Sequence, residues 1–127
     1  MMAIDPLMPI LVVDDNAATL DILVRLLRKI GFTEIDVAAD GEAAISKMQR
    51  TKYKLVISDW QMEPTDGVAL LQFIRSSEDH ANMPFIMVTV QSEVQKVITD
   101  KKLSVNGYLT RPFSAKELSV KIEQAVS

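Results

Sequence analysis

Three aspartates, a threonine and an arginine stand where this chain changes character, and their chemistry points to phosphoryl transfer. Asp14 and Asp15 end the apolar run Met8-Pro9-Ile10-Leu11-Val12-Val13. Asp59 ends Lys54-Leu55-Val56-Ile57-Ser58, Thr89 closes Pro84-Phe85-Ile86-Met87-Val88, and Arg111 follows Gly107-Tyr108-Leu109-Thr110. If these ends meet, three carboxylates share one pocket, and two like charges about 4 Å apart repel by roughly 4 kcal/mol at an effective dielectric near 20. Three carboxylates and one guanidinium leave that pocket net negative, a place for a hard divalent cation. Mg²⁺ (or Mn²⁺) suits it, because Mg²⁺ takes a few carboxylates together with waters and a phosphate rather than a full protein cage. The chemistry implied is transfer of a phosphoryl group onto a carboxylate oxygen, with cations neutralising the equatorial oxygens. Asp59 is the best nucleophile, since it stands alone at the end of a central strand. Each residue also has a plainer reading. Asp15 or Asn16 could cap a helix, Asp59 could be a solvated loop acid, Thr89 a strand residue and Arg111 a turn residue before Pro112. Five such residues at one edge favour the functional reading.

The elements that must position them alternate regularly. Continuously apolar segments read as strands buried on both faces, and the stretches between them carry apolar residues at helical spacing. Strands are expected at 8–13, 35–39, 54–58, 84–89 and 107–110, and helices at 17–30, 41–50, 66–76, 93–101 and 114–125. Leu20, Leu23, Leu26, Leu27 and Ile30 mark the buried side of the first helix, with Gly31 at its C-cap. Leu118, Val120, Ile122 and Val126 are available for burial on the last. Such alternation implies an α/β doubly wound sandwich, a parallel sheet with right-handed crossovers and helices on both faces. In the order 2-1-3-4-5 the first and third strands are neighbours. Ligands of such sheets bind outside the carboxyl ends of the strands, where the strand order reverses.

Composition narrows the class. The 127 residues make one domain, with a core at about 9–126, and show no linker or repeat. With 14 basic and 17 acidic side chains the net charge is −3, which gives no footprint for nucleic acid or for an anionic membrane. The absence of cysteine excludes disulfides, thiolate zinc sites and cysteine nucleophiles, and a lone His80 cannot build a multi-histidine metal site. No apolar run approaches the length of a membrane span, and residues 1–6 lack a basic, apolar leader, so a cytoplasmic protein without membrane insertion is expected.

At the residues named above the chain resembles the receiver domains of two-component response regulators, most closely the stand-alone chemotaxis type. The carriers are Val12-Val13-Asp14-Asp15, Ser58-Asp59-Trp60-Gln61-Met62, Asp66-Gly67, Met87-Val88-Thr89 and Gly107-Tyr108-Leu109-Thr110-Arg111-Pro112-Phe113. Asp15, Asp59, Thr89 and Arg111 are separated by 44, 30 and 22 residues, as in that family. The resemblance implies a flavodoxin-like (βα)5 fold and a role for each position. Asp59 accepts a phosphoryl group from a sensor histidine kinase or a histidine phosphotransfer protein. Asp14, Asp15, Asp59 and the backbone carbonyl of Gln61 hold Mg²⁺. Thr89 bonds the phosphoryl oxygens, Tyr108 turns inward with it, and the Arg111–Pro112 bond is cis. The output is binding of a downstream protein, such as a flagellar motor component, through the face of the fourth helix, fifth strand and fifth helix. This is a signalling module that assists its own aspartyl phosphorylation and dephosphorylation, not an enzyme acting on other substrates. A hydrogen bond to a charged phosphoryl oxygen contributes about 1.5–3 kcal/mol. Reversing a 1:99 equilibrium takes about 5.5 kcal/mol, so the cation at 111 and a partner must supply what Thr89 does not.

The chain also departs from the pattern. Arg111 replaces the usual lysine, a wider planar fork that can bind a phosphoryl group bidentately or pair with Asp59 or Asp14 at rest. Val90 stands where a small residue is common and narrows the approach to Asp59, and Glu63 before Pro64 adds negative charge near the metal. Weakened or geometrically unusual activation is therefore expected. Gln61 and Gln91 sit where the family tunes water attack on the phosphoaspartate. Trp60 is expected to be partly exposed, Met62 and Met87 to be packing, and His80, Glu78 and Asp79 to be solvated. A degenerate receiver acting as a constitutive interaction module is the main alternative. A phosphohydrolase would need an acid where Gln61 stands, and a flavin carrier would meet repulsion at Asp14-Asp15. No output domain is expected after the last helix.

Overall fold

A computed structural model describes residues 5–62, 65–89 and 93–126. Five strands and five helices alternate as β1 (Ile10–Val13), α1 (Ala17–Ile30), β2 (Ile35–Ala38), α2 (Gly41–Arg50), β3 (Leu55–Asp59), α3 (Gly67–Ser76), β4 (Phe85–Thr89), α4 (Glu93–Asp100), β5 (Gly107–Thr110) and α5 (Ala115–Val126). The sheet is parallel throughout, in the order β2-β1-β3-β4-β5. The expected alternation and order are therefore observed, with boundaries shifted by a residue or two. Among the sequence expectations, those for Met1–Ile4, Glu63, Pro64, Val90 and Gln91 lie outside the described residues.

The period of two along each strand splits the core. Leu11, Val13, Val56, Phe85 and Met87 face α2, α3 and α4, whereas Ile10, Val12, Leu55, Ile57, Ile86 and Val88 face α1 and α5. All of these are fully buried. Each contributes about 1.5–3 kcal/mol of hydrophobic stabilisation, enough to hold the central strands rigid beneath their carboxyl ends. Caps set the helix starts on that side. Asn16 accepts from the Thr19 N–H, Asp40 from Ala43 and Asp66 from Ala69. Gly31 ends α1 with φ 127°, a conformation that favours glycine.

One expectation for α5 is corrected. Leu118, Ile122 and Ala125 are buried, but Val120 is 44% exposed. Two residues along a helix is about 200° of rotation, so Val120 cannot share the face of Leu118 and Ile122. At the opposite end of the sheet from the aspartates, Arg75 at the end of α3 ties two loops together. Its Nε donates to Ser104 O, Nη1 to Ala81 O and Met83 O, and Nη2 to Asn106 Oδ1. Burial lowers the pKa of this guanidinium, and its hydrogen bonds go to carbonyl-type oxygens. His80, expected to be solvated, is instead half-buried, on the wall of a hollow of about 430 Å³ at that same end.

Candidate functional site

The three acids meet. Asp14, Asp15 and Asp59 each offer a carboxylate oxygen, and these oxygens lie within 4.8 Å of one another. Sheet register is the cause: Val13 pairs with Ser58, so the residues that follow β1 arrive beside the last residue of β3. The three differ in exposure: Asp14 is buried, Asp59 is half-buried and Asp15 is exposed. Asp15 does not cap α1, a task that falls to Asn16, and its carboxylate is turned to the cluster. Gln61 is exposed and lines a hollow of about 360 Å³ with Asp15, Met62 and Asp66, at the mouth of the acidic cluster.

The backbone around Asp59 is tightly held. Trp60 N–H donates to Val88 O at 3.2 Å, and Gly67 N–H donates to Trp60 O at 2.7 Å. A side chain at Gly67 has no room, because its Cβ would lie 2.2 Å from the carbonyl oxygen of Asp59. The pair Asp66-Gly67 thus does two jobs: one residue caps α3 and the next lets α3 abut the acidic loop. Trp60 is partly buried against the core, and Met62 and Met87 are buried packing, as expected.

Arg111 reaches across from beyond β5. Its Nη2 lies 2.6 Å from Asp14 Oδ2 and 3.4 Å from Asp59 Oδ1. The other oxygen of Asp14, Oδ1, accepts the Asn16 backbone N–H at 2.9 Å. Nε of Arg111 is buried and makes no hydrogen bond. Of the two uses open to Arg111, the resting structure shows pairing with both Asp14 and Asp59. The Arg111–Pro112 peptide is cis. Thr89 is buried at the end of β4, its carbonyl accepting the Arg111 N–H. Tyr108 pairs in register with Met87, two residues before Thr89 on the same face, and it is half-buried against the α2–α4 side of the core. Burial raises its phenol pKa.

Electrostatics single out Asp59. Its pKa is pushed up to about 6, first by burial, then by the neighbouring charge of Asp14, against the opposing pull of Arg111 and the Trp60 N–H. It is therefore ionised at neutral pH, as a nucleophile must be, but at an electrostatic cost. Hard oxygen donors from three carboxylates, on an open edge with one cation inserted among them, fit a Mg²⁺-sized ion.

Three structural features escaped sequence reasoning. Arg75 sits in the last turn of a helix, where a basic residue is ordinary, and nothing marked it as buried. The second is the 2.6 Å hydrogen bond from Tyr53 OH to Asp36 Oδ2, which ties the start of β3 to the edge strand β2. Burial, followed by that bond, raises the Tyr53 pKa to about 12. The third is the Gly67 contact: Asp66-Gly67 stood out as part of the resemblance, but nothing local marked its closeness to the Asp59 carbonyl.

Comparison with known proteins gives one consistent picture. Residues 10–123 match the family model described as response regulator receiver domain. The chemotaxis protein CheY of Pseudomonas aeruginosa is 35% identical over 117 residues, covering 92% of this chain and 94% of that protein. A high-resolution structure of the chemotaxis response regulator CheY4 of Vibrio cholerae superposes with a TM-score of 0.81 at 27% identity, covering 95% of this chain and 99% of that one. The receiver domain of a sensor histidine kinase from Pseudomonas aeruginosa, solved with a magnesium ion coordinated in its active-site cleft, gives 0.84 at 25% identity. That match covers 94% of this chain and 98% of the other.

Proposed function

The chain belongs to the response regulator receiver domain family, as a CheY-like receiver of two-component signalling, and from that premise we propose how its own residues carry the phosphorylation. Asp59 is the phosphoacceptor. Its carboxylate oxygen attacks the phosphorus of a phosphohistidine on a sensor kinase or a phosphotransfer protein, the O–P bond forming as the P–N bond breaks. The observation that carries this reading is the clustering of Asp59 with Asp14 and Asp15, one acid raised in pKa yet ionised at neutral pH.

Asp14, Asp15 and Asp59, with the backbone carbonyl of Gln61, would hold Mg²⁺ or Mn²⁺, as the magnesium in the related kinase receiver supports. When bound, the ion neutralises negative charge on the group being transferred. Arg111 contributes the second cation, its fork suited to phosphoryl oxygens. Thr89 gives its hydroxyl to the phosphorylated aspartate, and Tyr108, next to it on the same face, follows. The response is binding of a downstream protein at the α4–β5–α5 face, which carries the half-buried Tyr108. Residues 1–127 act as one receiver domain in the cytoplasm, a module that assists its own phosphorylation and dephosphorylation and binds neither nucleic acid nor membrane. Among the described residues no helix is long and apolar enough to cross a membrane.

One observation favours a second reading, a constitutive interaction module: Arg111 already engages Asp14 and Asp59 at rest. Incubation with acetyl phosphate and Mg²⁺, read by intact mass, separates the two. A phosphoryl adduct on wild type and none on Asp59→Asn is expected; no adduct on either protein supports the constitutive module.

A further inference from the structure

Both oxygens of the buried Asp14 already accept a hydrogen bond. Oδ1 accepts the Asn16 N–H at 2.9 Å, and Oδ2 accepts Arg111 Nη2 at 2.6 Å. Asn16 cannot withdraw, because its N–H belongs to the residue whose own side chain caps α1. Arg111 can, since its side chain is 26% exposed and enters from beyond β5. Its resting pose is also incomplete: Nη2 serves two carboxylates while Nε, on the same edge of the guanidinium, is buried without an acceptor.

We infer that Arg111 sets the affinity of the acidic cluster for its divalent ion, by holding Asp14 Oδ2 so that ion and guanidinium exclude each other there. The inference rests on the phosphorylation site proposed above and adds a property of this chain's own arginine. One nitrogen, Nη2, bridges Asp14 and Asp59, so part of the cluster's negative charge is offset internally when the ion is absent. Ion entry converts the shared carboxylate from a guanidinium partner to a metal ligand. The arginine is then free to turn its Nε/Nη2 edge, the edge that pairs bidentately, toward a transferred phosphoryl group. Metal loading and phosphoryl recognition are thereby linked through one side chain.

Mg²⁺ titration of chelator-stripped protein tests this, read by Trp60 fluorescence and by calorimetry, for wild type and Arg111→Met. The expected result is at least tenfold tighter Mg²⁺ binding by the variant, equal to 1.4 kcal/mol. Without Mg²⁺ the variant should unfold at lower temperature than wild type, and that gap should shrink as Mg²⁺ saturates. Equal or weaker binding by Arg111→Met, with a gap that Mg²⁺ leaves unchanged, overturns the inference while leaving the phosphorylation site intact. Should the variant not fold, the Arg111 Nε–H resonance of wild type decides. It must shift with the same midpoint as Trp60 fluorescence, and a resonance that stays still overturns the inference. Absence of Mg²⁺ binding to either protein, together with absence of an acetyl phosphate adduct on Asp59, overturns the site proposal itself.

Discussion

Replacing Asp59 by asparagine should stabilise the metal-free protein, by an amount that depends on pH. The Asp59 carboxyl titrates near 6 in the folded protein against 3.8 for an unperturbed aspartate. Between those values the native state holds a proton that the unfolded chain has released, so stability falls as pH rises through this window and levels off above it. A shift of about two pKa units corresponds to ~3 kcal/mol, at 1.36 kcal/mol per unit. Electrostatics give a similar scale: charges 4.8 Å apart, the outer limit of the cluster, repel by ~3.5 kcal/mol at an effective dielectric of 20. The Arg111 contact opposes part of this, so ~2 kcal/mol is the expected gain. In Asp59→Asn the charge and its titration are both gone. The difference between the two proteins should therefore be near zero at pH 4 and rise to ~2 kcal/mol by pH 7, or roughly 6–12 °C in midpoint. Urea and thermal unfolding at pH 4, 5, 6 and 7.5 in a chelator measure it directly. A difference that is flat across this range, or that favours wild type at neutral pH, refutes the assignment of Asp59 as an electrostatically costly acid.

Two further substitutions test the scaffold. Gly67→Ala should destabilise by ~2–4 kcal/mol, because its Cβ would stand 2.2 Å from the Asp59 carbonyl oxygen, and it should lower the yield of acetyl phosphate adduct. Helix propensity alone would give a gain of ~0.5–1 kcal/mol, so the sign in a urea titration decides between them. Arg75→Met should cost about 2–4 kcal/mol by removing four hydrogen bonds to three backbone carbonyls and Asn106, with hydrogen exchange accelerated at Asn106 and Phe85; unchanged exchange there would count against the tie.

The fold was legible in the sequence because a parallel sheet buried on both faces leaves unbroken apolar runs, and the charged residues that stop them mark the strand ends. Asp14, Asp15, Asp59, Thr89 and Arg111 were visible for that reason, each being the polar end of an apolar segment. What the sequence could not show was the partner of each group. Whether Asp15 or Asn16 capped α1 depended on backbone angles, and whether Arg111 faced Asp14, Asp59 or solvent depended on how β5 ends. Val120 was misjudged because apolar character was weighed without helical phase. Tyr53, Gly67 and Arg75 matter through contacts with residues such as Asp36, Asp59 and Asn106, and the chain carries no local sign of such contacts.

The tie made by Arg75 has a mechanical consequence. Because one guanidinium clasps Ser104 and Asn106 to α3 and to the segment before β4, the far end of β5 is pinned. A displacement of Thr89, as proposed above, would then swing β5 about that fulcrum, farthest beside Thr110 and least at Gly107, so that movement would concentrate at the end of the sheet where the aspartates lie.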